Sequence, residues 1–173
     1  MSAKIDFANL SLRDALDLAI LIEEEARERY LEFVDQMVLH HTQEAADFFR
    51  AMAGNEARHE AELNARRSSL FRDEPRRVKR SMFWEAEAPD YDQTRAFMSA
   101  RQAMEVALQS EIKAHHFFVE ALPHITEPEV RALFEELRDE ELEHQSLVRK
   151  ALEKAPPDPA IDCSAFVDEP TAQ

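Results

Sequence analysis

One glycine, Gly54, stands in a chain of 173 residues, and that scarcity narrows the fold more than any other feature. Tight hairpin turns, phosphate-cradling loops and dinucleotide fingerprints need positive φ or a bare backbone, which glycine supplies at little steric cost. β-Sandwiches, P-loops and dinucleotide-binding α/β folds are therefore excluded, which leaves helices joined by turns that other residues can make. At this length one domain is the default, burying roughly 70% of an extended chain's surface without a disulfide or structural zinc. The single Cys163 cannot form an internal disulfide or a four-thiolate iron site, a pattern of reducing compartments.

Apolar residues recur at helical spacing in four segments. The first begins after Ser11, which with Asp14 makes a capping-box variant, and carries Leu16, Ala19, Ile20, Tyr30, Phe33, Val34 and Met37 to about Leu39. The chain turns at His40-His41-Thr42, and Thr42 is read as the cap of a second helix with Ala45, Phe49, Met52, Leu63 and Leu70 inward. Residues 71–91, with Pro75 and Pro89, break the period and form a connector, with a short helical piece expected around Val78 to Trp84. A third helix is expected from about Asp92 to Leu122, with Phe97, Met104, Leu108 and Phe118 inward and Pro123 ending it. Thr126 is read as the cap of the fourth, with Pro128 in its first turn and an end near Lys154, before Pro156-Pro157. Two short turns and one long crossover predict an all-α four-helix bundle of two hairpins over residues 1–155, with 156–173 as a Pro-rich acidic tail.

Charge separates partners. The chain has 21 Lys+Arg against 36 Asp+Glu, a net −15, whose field repels nucleic acid and attracts cations. The longest early apolar run, Leu18 to Ile22, is far too short to span a membrane, so a cytoplasmic protein is expected. Arg66, Arg67, Arg72, Arg76, Arg77, Lys79 and Arg80 crowd one stretch with only Asp73 and Glu74 as acids. That stretch is expected to be solvated or paired with the acidic bundle, docking of an acidic redox partner being the weaker reading.

The informative residues are those that interrupt the apolar stripes. Glu23 sits in the middle of the first stripe, Glu56 and His59 in the second, Glu111 in the third, and Glu141 with His144 in the fourth. An ionised carboxylate buried without a partner costs several kcal/mol or more, so four converging ones require cations between them. Divalent metal ions meet that requirement, and carboxylate oxygen mixed with imidazole suits iron or manganese. The i, i+3 spacing of Glu56/His59 and Glu141/His144 puts each pair on one helical face, where both side chains can close on one ion.

Depth supports convergence. Glu111 lies about 14 residues before the second turn and Glu141 about 16 after it, roughly 21 and 24 Å along the helices. Glu23 and Glu56 lie roughly 27 and 23 Å from the first turn. The halves also form an internal repeat: aligned on Glu23 and Glu111, Leu16 matches Met104, Ile20 matches Leu108 and Tyr30 matches Phe118. Aligned on Glu56 and Glu141, Phe49 matches Phe134, His59 matches His144 and Leu63 matches Val148. A pseudo-twofold site for two metals follows, each ion held by one Glu-x-x-His pair and bridged by the other carboxylates.

With one glutamate from each of two helices and Glu-x-x-His from each of the other two, the sequence resembles the ferritin-like diiron carboxylate family. The segment Glu23-Glu-Glu-Ala-Arg-Glu-Arg-Tyr30 is particularly similar to the first bundle helix of rubrerythrins, and the likeness covers residues 11–154. Rubrerythrins carry a further carboxylate three residues after the third-helix glutamate, where this chain has Ala114, and a C-terminal rubredoxin whose Cys pairs have no counterpart here. The ligand set is thus closer to the four-Glu, two-His arrangement of bacterioferritins and ribonucleotide reductase small subunits. The resemblance implies a cytoplasmic diiron oxidoreductase, of peroxidase or ferroxidase type, that oxidises Fe(II) with hydrogen peroxide or dioxygen. It also implies an external electron-donor protein and a homodimer, in which the long connector permits exchange of hairpins. Two alternatives are an iron storage or transfer ferroxidase and a metal-free helical interaction module.

Other residues carry weaker readings. Glu140 stands at i, i+4 from His144, but Glu141 keeps the register of Leu137 and Phe134. Tyr30 is either a core aromatic or a partner holding a ligand carboxylate. His115 defaults to a half-buried histidine beside the alternatives of ligand or proton relay. Gly54, inside the second helix, is read as space for an oxidant, a bulge or a tight contact. Trp84 and Tyr91 are candidates for packing or an electron path.

Overall fold

Helix ends in this chain are set by side chains that cap or break them. The computed structural model, which describes residues 5–80, 88–90 and 97–158, contains α1 (Leu12–Leu39), α2 (Gln43–Phe71), α3 (Ala100–Ala121) and α4 (Pro128–Lys154). One-turn 3-10 segments lie at Phe7–Asn9 and Leu122–His124. Ser11 starts α1 by accepting the Asp14 amide at 3.2 Å. α1 packs along α2 and α3 along α4, giving an all-α bundle of two hairpins with the long crossover between α2 and α3. No helix among the described residues is long and apolar enough to cross a membrane.

Three backbone positions show what the shortage of glycine demands. His41, Arg72 and Phe97 adopt φ of 58°, 54° and 66°, in the left-handed region that glycine usually fills at helix ends, at about 1–3 kcal/mol each. Neighbouring hydrogen bonds hold the first two breaks: the Thr42 amide and hydroxyl both donate to the Met37 carbonyl, at 2.9 and 3.1 Å, and the Arg72 amide to that of Ser68 at 2.9 Å. Thr42 therefore spends its hydroxyl on closing α1 and does not cap α2 with its side chain, contrary to expectation.

Other boundaries also differ from the sequence reading. α3 starts at Ala100 and not near Asp92, because Ser99 and Gln102 form a reciprocal capping box that nucleates the helix there. Phe97 consequently lies outside the helix and exposed, its ring centroid 5.4 Å from that of His40, and it does not face the core. Leu70 is exposed in the last turn of α2, where Phe71 packs against the core instead. The Thr126 hydroxyl donates to the Ala8 carbonyl at 2.8 Å, leaving Glu127 as the residue before α4. Most of the short helix expected at Val78 to Trp84, with Trp84 and Tyr91 themselves and the tail from residue 159, falls outside the described residues.

Buried apolar side chains form two separate layers. One collects Leu16, Ile20, Leu63, Phe118, Leu133, Phe134 and Leu137; the other collects Tyr30, Phe33, Met37, Phe49, Met52, Val106 and Val148. On every helix the stripe glutamate falls between the two. The polar centre is thus sandwiched along the bundle axis by hydrophobic layers that fix the relative height of the four helices.

The crossover is strapped to the bundle by charge. Asp17, fully buried in α1, pairs with Arg67 and accepts the Arg77 amide at 3.1 Å, while Arg67 also donates to the Glu74 carbonyl at 2.8 Å. Arg13 pairs with Glu74, Arg76 with Glu24 at 2.8 Å and Arg80 with Glu28 at 2.7 Å. The basic stretch thereby neutralises acids of α1. At the far end Lys113 of α3 donates to the Ala88 carbonyl at 3.0 Å, and Arg29 of α1 to that of Pro89.

Candidate metal centre

α1 and α2 bring Glu23, Glu56 and His59 together, and α3 and α4 bring Glu111, Glu141 and His144 together, each trio offering ligand atoms within 4.8 Å of one another. In the first trio His59 Nδ1 lies 3.7 Å from Glu23 and 3.8 Å from Glu56. In the second His144 Nδ1 lies 3.3 Å from Glu111 and 3.7 Å from Glu141. The two imidazoles stack across the bundle, centroids 4.6 Å apart and planes within 3° of parallel, which joins the trios into one centre. All six residues singled out in the sequence are therefore neighbours, and the pairing repeats once per hairpin.

The four glutamates are between 0 and 5% exposed. Six of their oxygens, at least one from each glutamate, are buried with no hydrogen-bond partner among the described residues. Desolvation penalises the charged form of such groups. Burial accordingly pushes Glu23 up to about 8 despite the opposing pull of His59, and pushes Glu141 well above the usual carboxylate range despite His144. The histidines respond in the opposite sense. The Glu23 and Glu56 carboxylates hold His59 up at about 10; burial would lower His144, but Glu111 and Glu141 outweigh it and raise it to about 11.

Without metal, the centre is a set of acids and imidazoles buried between two apolar layers. Its donor set fits a metal pair: two divalent cations balance four carboxylates and leave both imidazoles neutral, with a lone pair each to donate. The orphaned carboxylate oxygens are the groups such ions would satisfy.

The sequence matches the Rubrerythrin family over residues 14–152. The chain belongs to the rubrerythrin family. It is 30% identical to an uncharacterized conserved protein from Magnetospirillum magnetotacticum whose crystal structure superposes with a TM-score of 0.65, covering 87% of this chain and 99% of that one. A hypothetical protein from Pyrococcus furiosus, 22% identical, shares the fold with a TM-score of 0.50 over 84% of this chain and 90% of its own. No curated protein matches the sequence. As in its family, the two carboxylate and histidine clusters of this rubrerythrin-family chain can hold a pair of metal ions.

Several neighbours of the centre were ambiguous in the sequence. Ala114, where rubrerythrins carry a further carboxylate, is fully buried, so no extra acid enters the second trio from that turn of α3. Tyr30 is fully buried two turns from Glu23, its ring stacked on Phe49 at 6.0 Å. His115 belongs to neither trio; it is half-buried beside His116, and burial lowers its pKa. Gly54 makes room for nothing: it is exposed, a Cβ built there meets no atom within 4 Å, and α2 runs through it without a break.

The sequence reading missed the clamps beside the ligand candidates. Gln145, one turn after Glu141, donates to the Glu111 carbonyl at 3.2 Å and ties α4 to α3. At the matching place in the first hairpin Glu60, one turn after Glu56, pairs with Arg27 at 2.8 Å, one turn after Glu23. The internal repeat is the signal that could have found them, since both occupy the position four residues beyond a stripe residue.

Proposed function

We propose that this chain is a dinuclear iron oxidoreductase, with Glu23, Glu56 and His59 holding one ion and Glu111, Glu141 and His144 the other. The supporting observation is the set of six glutamate oxygens buried without a hydrogen-bond partner among the described residues and gathered with two imidazoles, since no apolar or hydrogen-bonded core would tolerate them. Ferrous iron held by these residues would supply electrons to reduce hydrogen peroxide, two electrons with two protons giving two waters, or to reduce dioxygen.

The chain's own residues set the conditions for that chemistry. The glutamates lie deep between the two apolar layers, which exclude water and keep charge interactions strong. Gln145 and the Arg27–Glu60 pair hold the helices of each trio at fixed separation, so that the carboxylates rather than the backbone adjust as charge changes. His59 and His144 have side chains 19% and 16% exposed and form the solvent side of the centre, where protons lost on metal binding can leave. Turnover draws electrons from an external donor or from fresh Fe(II).

Stopped-flow absorbance of the anaerobic, ferrous-loaded protein mixed with hydrogen peroxide, and separately with dioxygen, tests the proposal. Growth of a ferric absorbance band with either oxidant is the expected result. No change with either refutes it. Consumption of Fe(II) far beyond two ions per chain would instead favour oxidation for storage or transfer, a reading that the net charge of −15 supports by attracting cations.

A further inference from the structure

Among the described residues, Phe97 and Leu39 are the most exposed large apolar side chains, at 74% and 73%. They share one end of the bundle: the Phe97 ring centroid lies 5.4 Å from that of His40, the residue after Leu39. Phe97 is also held at a φ of 66°, a conformation that glycine or asparagine adopts with less strain than a bulky side chain. The backbone thus holds a strained aromatic out toward solvent. Apolar surface of this kind becomes stabilising only when something covers it.

The end of α4 arrives at the same place. Arg101, in the first turn of α3, donates to the carbonyls of Leu152 at 2.9 Å, Ala155 at 3.1 Å and Pro156 at 3.2 Å, and the Ser99 hydroxyl donates to the Asp158 carboxylate. Asp158 is therefore fastened two residues from Phe97. Residues 159–173 follow, and in an otherwise small or polar sequence they carry Ile161, Phe166 and Val167. At about 3.3 Å per residue, Ile161 reaches up to roughly 10 Å and Phe166 up to roughly 26 Å from Asp158, whereas Ser99 and Phe97 are at most about 7 Å apart along the backbone. Pro156, Pro157 and Pro159 fix φ in advance, so a segment that starts this way loses less conformational entropy when it is laid down.

We propose that residues 159–173 fold back over this end of the bundle, with Ile161, Phe166 and Val167 covering Leu39 and Phe97 of the same chain. Attachment beside the patch makes the docking intramolecular, so contact of a few apolar side chains suffices where two separate molecules need a far larger interface. The layer of Phe33, Met37 and Phe49 separates this end from the metal centre. Docking of the tail accordingly closes the bundle end and leaves metal content unaffected.

The single cysteine, Cys163, stands between Ile161 and Phe166 and serves as the probe. Two rates are measured on the full chain: reaction of the Cys163 thiol with an aromatic disulfide reagent, and chymotrypsin cleavage after Phe166, read by mass spectrometry as loss of residues 167–173. Both are expected to be at least about tenfold lower in the unaltered protein than in the double variant Leu39→Ser/Phe97→Ser, because each requires the tail to lift off. Leu39 and Phe97 are exposed, so the variant keeps its fold, which an unchanged helical circular dichroism spectrum checks. A second variant, Ile161→Ser/Val167→Ser, alters only residues beyond α4 and should accelerate the thiol reaction to the same extent. Equal thiol rates in the unaltered protein and in either variant overturn the proposal. Protection that disappears on dilution also overturns it, because it would assign the patch to a second copy of the chain.

Discussion

Loading the metal-free protein with two divalent ions is expected to release at least about two protons per chain at pH 7. The count comes from the geometry of the centre. Desolvation holds Glu23 at about 8 and raises Glu141 well above the usual carboxylate range, so these carboxyls keep protons to higher pH than free ones. The facing carboxylates hold His59 at about 10 and His144 at about 11, so both imidazoles are charged. Each charged imidazole must shed its proton before it can donate a lone pair to a metal, and so must any carboxyl that still holds one. Between pH 6 and 7 the apparent affinity for the pair should therefore rise by about tenfold per proton released, roughly 100-fold for the two imidazoles. The same shifts act on folding. Glu23 is raised in the folded state, so its stabilisation of the metal-free fold is complete below the unfolded carboxylate pKa and disappears as pH rises through 8. At 1.36 kcal/mol per unit this removes about 3 kcal/mol by pH 7. His59 and His144 add further losses at higher pH, up to about 10 and 11. Titration calorimetry with Mn(II), run in two buffers of different protonation enthalpy, counts the protons directly. Melting curves from pH 5 to 8 with and without Mn(II) read the linkage, and the loaded protein should lack the downward slope. Release of fewer than one proton per metal pair would refute the reasoning, because it would mean that the trios are already ionised or that the ions bind elsewhere.

Three other outcomes follow from particular contacts. Replacing Glu141→Ala and, separately, Glu56→Ala should each lower bound iron from two ions per chain toward one, measured by metal analysis, because each removes a carboxylate from only one trio. Arg67→Met leaves the fully buried Asp17 carboxylate without its guanidinium and should cost about 3–5 kcal/mol in urea denaturation, whereas Asp17→Leu/Arg67→Met together should recover most of it; equal losses in the single and double variants would contradict this. Gly54→Ala should stabilise the fold by about 0.5–1 kcal/mol with unchanged metal content, since the added methyl meets open space in mid-helix. A loss of stability there would show that the exposed face of α2 is covered in the working protein.

The four helices and the six polar residues of the centre were legible in the sequence because both are recorded in helical register. Leu16, Ile20 and Tyr30 fix the face on which Glu23 must lie, and Phe134, Leu137 and Val148 do the same for Glu141 and His144. A carboxylate in such a stripe is costly enough that its presence carries information. The internal repeat then places the two hairpins in the same arrangement without any contact being known. Helix ends were read less well. Thr42, Phe97 and Thr126 were misassigned because each found a competing partner, the Met37 carbonyl, the His40 ring and the Ala8 carbonyl, and a hydrogen bond or ring contact across a turn leaves no periodic trace.

Only the tertiary structure decided how the residues outside the stripes are used. Arg67 and Asp17 are 50 positions apart, and their burial as a pair depends on where the crossover lies against α1. Arg66 and Glu136 meet across 70 positions, a contact between two helices that no single segment encodes. Residue spacing within one helix is set by covalent geometry and can be read from the sequence, whereas the separation of two helices at a given height depends on every side chain packed between them. The ligand candidates belong to the first kind of information, and the ion pairs between helices belong to the second.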